Sequence, residues 1–442
     1  MTLMAGAAAV DIAPNRPTAL YGYPHVERMS TGVHDPICAS VLYLENGSQS
    51  AAVVSLDLLM LDGPTSRAIR AAICERIGTP ERTVFLSCTH THSAPVTSRL
   101  LAWQDDPAVP DPDPEYLEFI RVQTAAAAGE AQRRARPAEL CWTAADAGGV
   151  GGNRLAEDGL TDPEAGLLVV RAVDGGLLIG LSIIYGMHPT VLHEDSTLIS
   201  SDFPHYARQE IREHYGDEAV VLYLMAPSGD QSPRHCVRSQ SFDEAQRLGR
   251  KLGVTVANRL GALSEDSFLR DPQLDGRLRE VDPPRRRIPS VGEADELLAA
   301  RRARYDRLRR EGADWPGIRT AECEVFGAEG MLTLAKAEER GRIEEVLRSY
   351  RPIQVQALRI GDAWLAGLPG EWFVQYSLEI KRRASAKTYP VSLVNGDLQG
   401  YIVTPEAAAG GGYEASGAVF APEAGAMMVD AMLAMIDPGT KE

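Results

Sequence analysis

Leu167-Leu-Val-Val-Arg-Ala-Val-Asp-Gly-Gly-Leu-Leu-Ile-Gly-Leu-Ser-Ile-Ile-Tyr185 sets two apolar runs of strand length around an Asp174-Gly175-Gly176 turn signal. Runs bounded in this way read as a buried strand pair, Leu167 to Ala172 with Leu177 to Tyr185. A helical pattern over Phe203 to His214 and another apolar strand, Ala219 to Leu224, follow. Upstream, Val41 to Leu44 and Ala51 to Leu56 flank Asn46-Gly47, a strong hairpin signal. Ser66 to Ile77 then predicts a helix and Thr83 to Ser87 a buried strand. Strands mixed with helices and hairpins predict an α/β chain with mixed β-sheets flanked by helices.

Composition changes between about Ser264 and Tyr350. Glu293 to Arg310 predicts a helix with arginines at 301, 302, 304, 307, 309 and 310, and Glu338 to Tyr350 a second charged amphipathic helix. A solvated helical face accounts for such charge. The sharper reading is an inserted arm that covers the active site or pairs with another subunit. After Arg351-Pro352, strand patterns return at Ile353 to Ile360, Ala363 to Leu368 and Val391 to Asn395, while Ala407 to Gly412 reads as a mobile loop. With no internal repeat, the expectation is a single domain over 1–442, with 264–350 as a charged helical insertion within it.

Charge narrows the partners. Forty-five basic against 61 acidic side chains leave a net charge of −16, which repels phosphate backbones and anionic lipid. Nucleic acid is therefore not an expected partner. The longest apolar stretch, Gly175 to Gly186, is about half of what a membrane span needs, so no stable membrane insertion is expected. The start carries no basic n-region. The six cysteines are scattered without a CxxC pair, which is neither a disulfide framework nor a cysteine zinc knuckle. The expectation is a cytoplasmic protein acting on a small molecule, with a homo-oligomer left open.

Four places gather polar groups after apolar strands, where sheet proteins build sites. Thr89-His90-Thr91-His92-Ser93 follows Ser87, and continued strand geometry would project both histidines to one side. His188-Pro189-Thr190 follows a second strand, with Ser200-Ser201-Asp202 and the histidines 193 and 205 nearby. Gly229-Asp230-Gln231-Ser232-Pro233 follows a third, and is not the GxSxG elbow of serine hydrolases. Leu368-Pro369-Gly370-Glu371 ends a fourth, with Trp372 expected to open a helix. Each has a bland reading: a hydrogen-bonded histidine pair, surface histidines, a helix-start carboxylate. Together His90, His188 and Glu371 form the two-histidine, one-carboxylate set typical of catalytic zinc.

These motifs, with Ala9-Val10-Asp11-Ile12 and Gly400-Tyr401-Ile-Val-Thr-Pro-Glu406, resemble the neutral, non-lysosomal ceramidase family in kind and in order, from residue 9 to about 420. The resemblance implies an α/β catalytic domain carrying one Zn2+ and hydrolysing an N-acyl amide bond. It implies His90, His188, Glu371 and Tyr401 as zinc ligands. It further implies His92 as the acid/base group, with Arg154 of Asn153-Arg154 and Tyr413 in the active site. Ser232 matches a serine once considered a nucleophile; beside zinc, a polar or structural role is expected for it.

Departures bear on the substrate. Ceramide-acting members usually carry a leader or anchor and a C-terminal β-sandwich, and neither is expected here. The glycine-rich Ala409 to Gly412 replaces a bulkier, more polar stretch next to Tyr413, and Arg234 stands where asparagine is common. The sequence therefore predicts a zinc-dependent amidohydrolase acting on C–N bonds other than peptide bonds, with a substrate other than ceramide. The arginine-rich arm would suit a polar or anionic one. Three alternatives remain open: a lactone or ester hydrolase or amide-forming cyclase using the same site, a non-catalytic metal-retaining binding protein, and a serine-nucleophile amidase.

Overall fold

The computed structural model describes residues 2–437. The Asp174 turn joins strands Glu164–Ala172 and Leu178–Tyr185 as an antiparallel pair within an eight-stranded sheet. From one edge, its order is Val220–Met225, Leu178–Tyr185, Glu164–Ala172, Arg136–Asp146, Met4–Asp11, Cys38–Glu45, Ser50–Leu56 and Val84–Cys88. The inner pairings are antiparallel. Only the two edge strands run parallel to their neighbours, and each parallel return needs a crossover. Helix Phe203–Tyr215 makes one crossover and helix Gly63–Ile77 the other. The second helix is fixed by Asp62, whose side chain accepts from the Thr65 N–H, and by Gly78 in the left-handed conformation.

The sheet curls so that its two edges approach. Ser55 Oγ donates to the Tyr223 carbonyl at 2.6 Å. The Ser392 N–H donates to the Met225 carbonyl at 2.7 Å, while Ser87 Oγ donates to the Ser392 carbonyl at 3.0 Å. A second sheet, ordered Leu274–Val281, Ile353–Ile360, Ala363–Gly367 and Lys387–Val391, packs on the first through a dry layer that includes Phe85, Leu140, Leu222, Leu358 and Leu365. Four strand ends from the two sheets thus open toward one place.

Several expected boundaries move, for local reasons. Val391 to Asn395 is not a strand: the strand ends at Val391, and Leu393 and Asn395 take positive φ. Trp372 lies in a two-residue strand with Glu371, paired in parallel with Tyr401–Ile402, and the helix begins at Val374. Ala407–Gly410 closes a short helix capped by Thr404 rather than a loop. Glu338 and Glu339 end the helix Trp315–Glu339, and a left-handed Gly341 separates it from Arg342–Tyr350.

The arginine-rich helix, Val291–Glu311, packs antiparallel on Trp315–Glu339. Part of its charge is paired locally. Arg301 and Arg304 pair with Glu324, and Arg302 pairs with Glu329 at 2.7 Å. Those three arginines face acids of the neighbouring helix. Helix Trp315–Glu339 in turn lies against Tyr413–Gly417 and Leu101–Trp103 at the rim of the site described below.

Beneath the site, Arg208 binds Asp57 in bidentate fashion at 2.7 and 2.8 Å, both side chains buried, and Asp57 also accepts from the Cys38 N–H. Removing one partner strands a buried charge. Asp57→Ala is expected to lower unfolding free energy by about 3–5 kcal/mol in chemical denaturation. A loss below about 1 kcal/mol, the level of exposed pairs, would show that the pair carries little.

Candidate metal centre

Three imidazoles meet where the strand ends converge. His90 follows strand Val84–Cys88, but the strand stops at Cys88 and His90 has φ 67°. The pair is therefore not aligned by strand geometry. The rings of His90 and His92 are instead brought to 5.0 Å by this left-handed turn. His188 follows Leu178–Tyr185, its ring 4.7 Å from His90 and 5.8 Å from His92. One ring nitrogen from each lies within 4.8 Å of the others.

Each ring is held the same way. Nδ1 of His90 donates to the Leu59 carbonyl at 2.9 Å, that of His188 to Gln231 at 2.8 Å, and that of His92 to Gly22 at 3.1 Å. A proton on Nδ1 fixes the tautomer and leaves the Nε2 lone pair free, the arrangement that outer hydrogen bonds give to metal-ligating histidines. Burial presses all three pKa values below the ordinary histidine range, His90 to about 4, so the rings stay neutral. Gly22 has φ 108°, and a Cβ there would sit 2.5 Å from His92 Nδ1; glycine is what lets its carbonyl reach the ring.

Glu371 completes the cluster. It is 7% exposed, its Oε1 2.9 Å from His188 Nε2 and its Oε2 3.5 Å from His90 Nε2. Since the Nδ1 atoms carry the protons, each contact sets a nitrogen lone pair against a carboxylate oxygen. His188 Nε2, His92 Nε2 and Glu371 Oε1 have no hydrogen-bond partner although buried. Unpaired acceptors cannot stay that close at low cost without a cation among them. The donor set, imidazole nitrogen plus carboxylate, fits a borderline divalent metal.

Tyr401, paired with Glu371 across the short parallel strands, accepts from Arg154 Nη2 at 3.2 Å. Burial raises its phenol pKa well above the usual value, followed by the nearby Glu371 charge. Arg154 also donates through Nε to Glu414 at 2.9 Å, and the edge of Tyr413 meets Tyr401 at 6.1 Å. Glu414 was not legible as a site residue, though its place directly after Tyr413 was a signal. His90, His92, Glu371, Tyr401 and Tyr413 share the lining of one cleft.

Other candidate positions fall outside it. Ser232 pairs through its backbone with Gly152, its Oγ accepts from the Arg234 N–H, and it does not line the cleft. Ser200 and Ser201 donate to the buried Asp35. His193 contacts Glu194 at 2.7 Å, and His205 lies 3.7 Å from Asp35.

No protein-family model matches the chain, and a search of curated proteins finds no match. Solved structures do match. A neutral ceramidase from Pseudomonas aeruginosa superposes with a TM-score of 0.76 at 20% identity, over 100% of this chain and 76% of that one. A ceramidase complexed with C2 superposes with a TM-score of 0.74 at 17% identity, over 99% of this chain and 75% of that one. The chain therefore has the neutral ceramidase fold, mixed α/β as the sequence predicts. Inside that fold it carries a buried histidine cluster able to hold a metal. Among the described residues, no helix is long and apolar enough to cross a membrane.

Proposed function

We propose that this protein is a neutral-ceramidase-like, zinc-dependent hydrolase of an N-acyl amide bond in a small-molecule substrate. The observation that carries the reading is the unpaired contact between His188 Nε2 and Glu371 Oε1, beside His90 and His92, in a cleft of the ceramidase fold. His90, His188, Glu371 and Tyr401 would hold the zinc. When bound, zinc supplies Lewis acidity that polarises a carbonyl and acidifies water.

The chain's own groups take the remaining tasks. His92, neutral and anchored at Nδ1, accepts a proton at Nε2 and returns it to the leaving amine. Arg154, held by Glu414, keeps a positive charge beside Tyr401 and orients it. Tyr413 donates its hydroxyl proton as a hydrogen bond to the developing oxyanion. Ser232 is read as structural. We read 1–442 as one catalytic unit with 264–350 as its insertion. The six unpaired cysteines support a reducing compartment such as the cytoplasm.

The test is hydrolysis of short N-acyl amines before and after dialysis against a chelator, with metal analysis. One zinc per chain, activity lost with it and restored by zinc, is expected. Activity that survives in fully metal-free protein would sink the proposal and favour a serine nucleophile.

A further inference from the structure

One buried carboxylate in the cleft has no task in the chemistry above. Asp397 lies in the loop between strand Lys387–Val391 and Tyr401, is 3% exposed, and lines the cleft. Neither of its oxygens has a hydrogen-bond partner of good geometry. The Tyr350 hydroxyl and the backbone N–H groups of Asp397 and Gln399 lie near enough only to offset part of the cost of burial. The largest charge effect on it comes from Asp62, of the same sign.

The cleft that Asp397 lines has apolar side chains in Leu59, Met60, Leu100, Trp103 and Leu393, and polar ones in the metal-site residues. On its far side a second cavity holds Arg67 and Arg70, but both are engaged elsewhere. Arg67 donates to the carbonyls of Ser349 and Tyr350, and Arg70 to the Glu81 carbonyl and to Gln354. Burial pushes the Asp397 carboxyl up to about 8, so it holds a proton until a cation entering the cleft supplies a countercharge. A buried carboxylate is costly until a proton or a cation meets it. A chain with net charge −16 also draws cations toward it.

We infer that Asp397 is a specificity-determining residue that binds a positively charged nitrogen group, ammonium or guanidinium, on the substrate, with the attached alkyl chain lying against Trp103 and Leu100. The inference rests on the amide-hydrolase reading of the cleft and deepens it by naming the substrate class. It replaces the anionic substrate that the arginine-rich arm suggested.

The test is binding rather than turnover, so the two readings can fail separately. n-Butylguanidinium and n-butylurea share a shape but differ by one charge, and neither offers an amine to a metal. Their affinities for the metal-loaded protein are measured by calorimetry. The guanidinium is expected to bind at least about 30-fold more tightly than the urea, the worth of a desolvated charge pair. Asp397→Asn, of the same shape, should abolish that preference while urea binding persists. Equal affinities in the wild type, no binding of either probe, or an unchanged preference in Asp397→Asn would each overturn the inference. The wild-type comparison decides even where the variant fails to fold. Cation binding without amide hydrolysis would leave the inference standing and remove the proposed reaction.

Discussion

Replacing His92 by alanine is expected to leave the metal content unchanged and to lower turnover by roughly two to four orders of magnitude, the usual worth of acid/base help. The distinction from His90 rests on Glu371. Its carboxylate contacts His90 and His188 but not His92, whose Nε2 is left facing the cleft unpartnered. His92 is also less enclosed, with the Tyr23 ring 5.1 Å away on one side. A proton carrier needs that freedom to exchange with substrate, whereas a ligand needs the opposite. His90→Ala serves as the comparison and should lose metal. If His92→Ala loses metal to the same extent, the three rings bind as a set, which their mutual 4.8 Å spacing permits.

How much of this was legible in the sequence depends on what holds each part together. The hairpins were readable because alternating apolar runs and Gly turns act over a few residues; the Asp174 and Asn46 turns are where the spacing puts them. Helix Trp315–Glu339 was missed because glycines 317, 327 and 330 dilute its periodicity. Two of them are used for close approach: a Cβ on Gly327 would meet Tyr413 at 3.0 Å, and one on Gly330 would meet Ala102 at 3.3 Å. The histidines were found as motifs, yet the geometric reason offered for them was wrong, because His90 leaves the strand conformation altogether.

What no local pattern could show is which charges are already paired. The arginines 301, 302 and 304 read as a solvated basic face and pair with Glu324 and Glu329, 20 to 27 residues away. No motif marks Asp397, and only the fold reveals it as a buried carboxyl lining a cleft. Burial and pairing are properties of the tertiary contact, so sequence order hides both.

Glu371→Gln is expected to separate metal binding from folding. In wild-type protein without metal, the Glu371 carboxylate faces the His188 lone pair at 2.9 Å with both atoms buried, and burial already raises its pKa. That contact opposes folding until a cation enters. The amide of glutamine carries no charge and can turn its NH2 toward His188 Nε2 as a donor. The metal-free variant should therefore melt above metal-free wild type. Zinc should then reverse the order. A ligand that binds only the folded state adds about 2.7 kcal/mol at a hundredfold excess over its Kd, so zinc should raise the melting temperature of wild type strongly. In the variant, the loss of a direct ligand should cost more than the roughly 10–100-fold that outer-sphere changes cost, and the zinc-induced shift should largely vanish. His188→Ala should also lose zinc but gain no stability, since it leaves a cavity where a buried ring stood. Differential scanning calorimetry of the three proteins, with and without zinc, reads all of this without any substrate. A zinc-induced shift in Glu371→Gln equal to that of wild type would remove Glu371 from the metal site and, with it, the contact on which the proposed function rests.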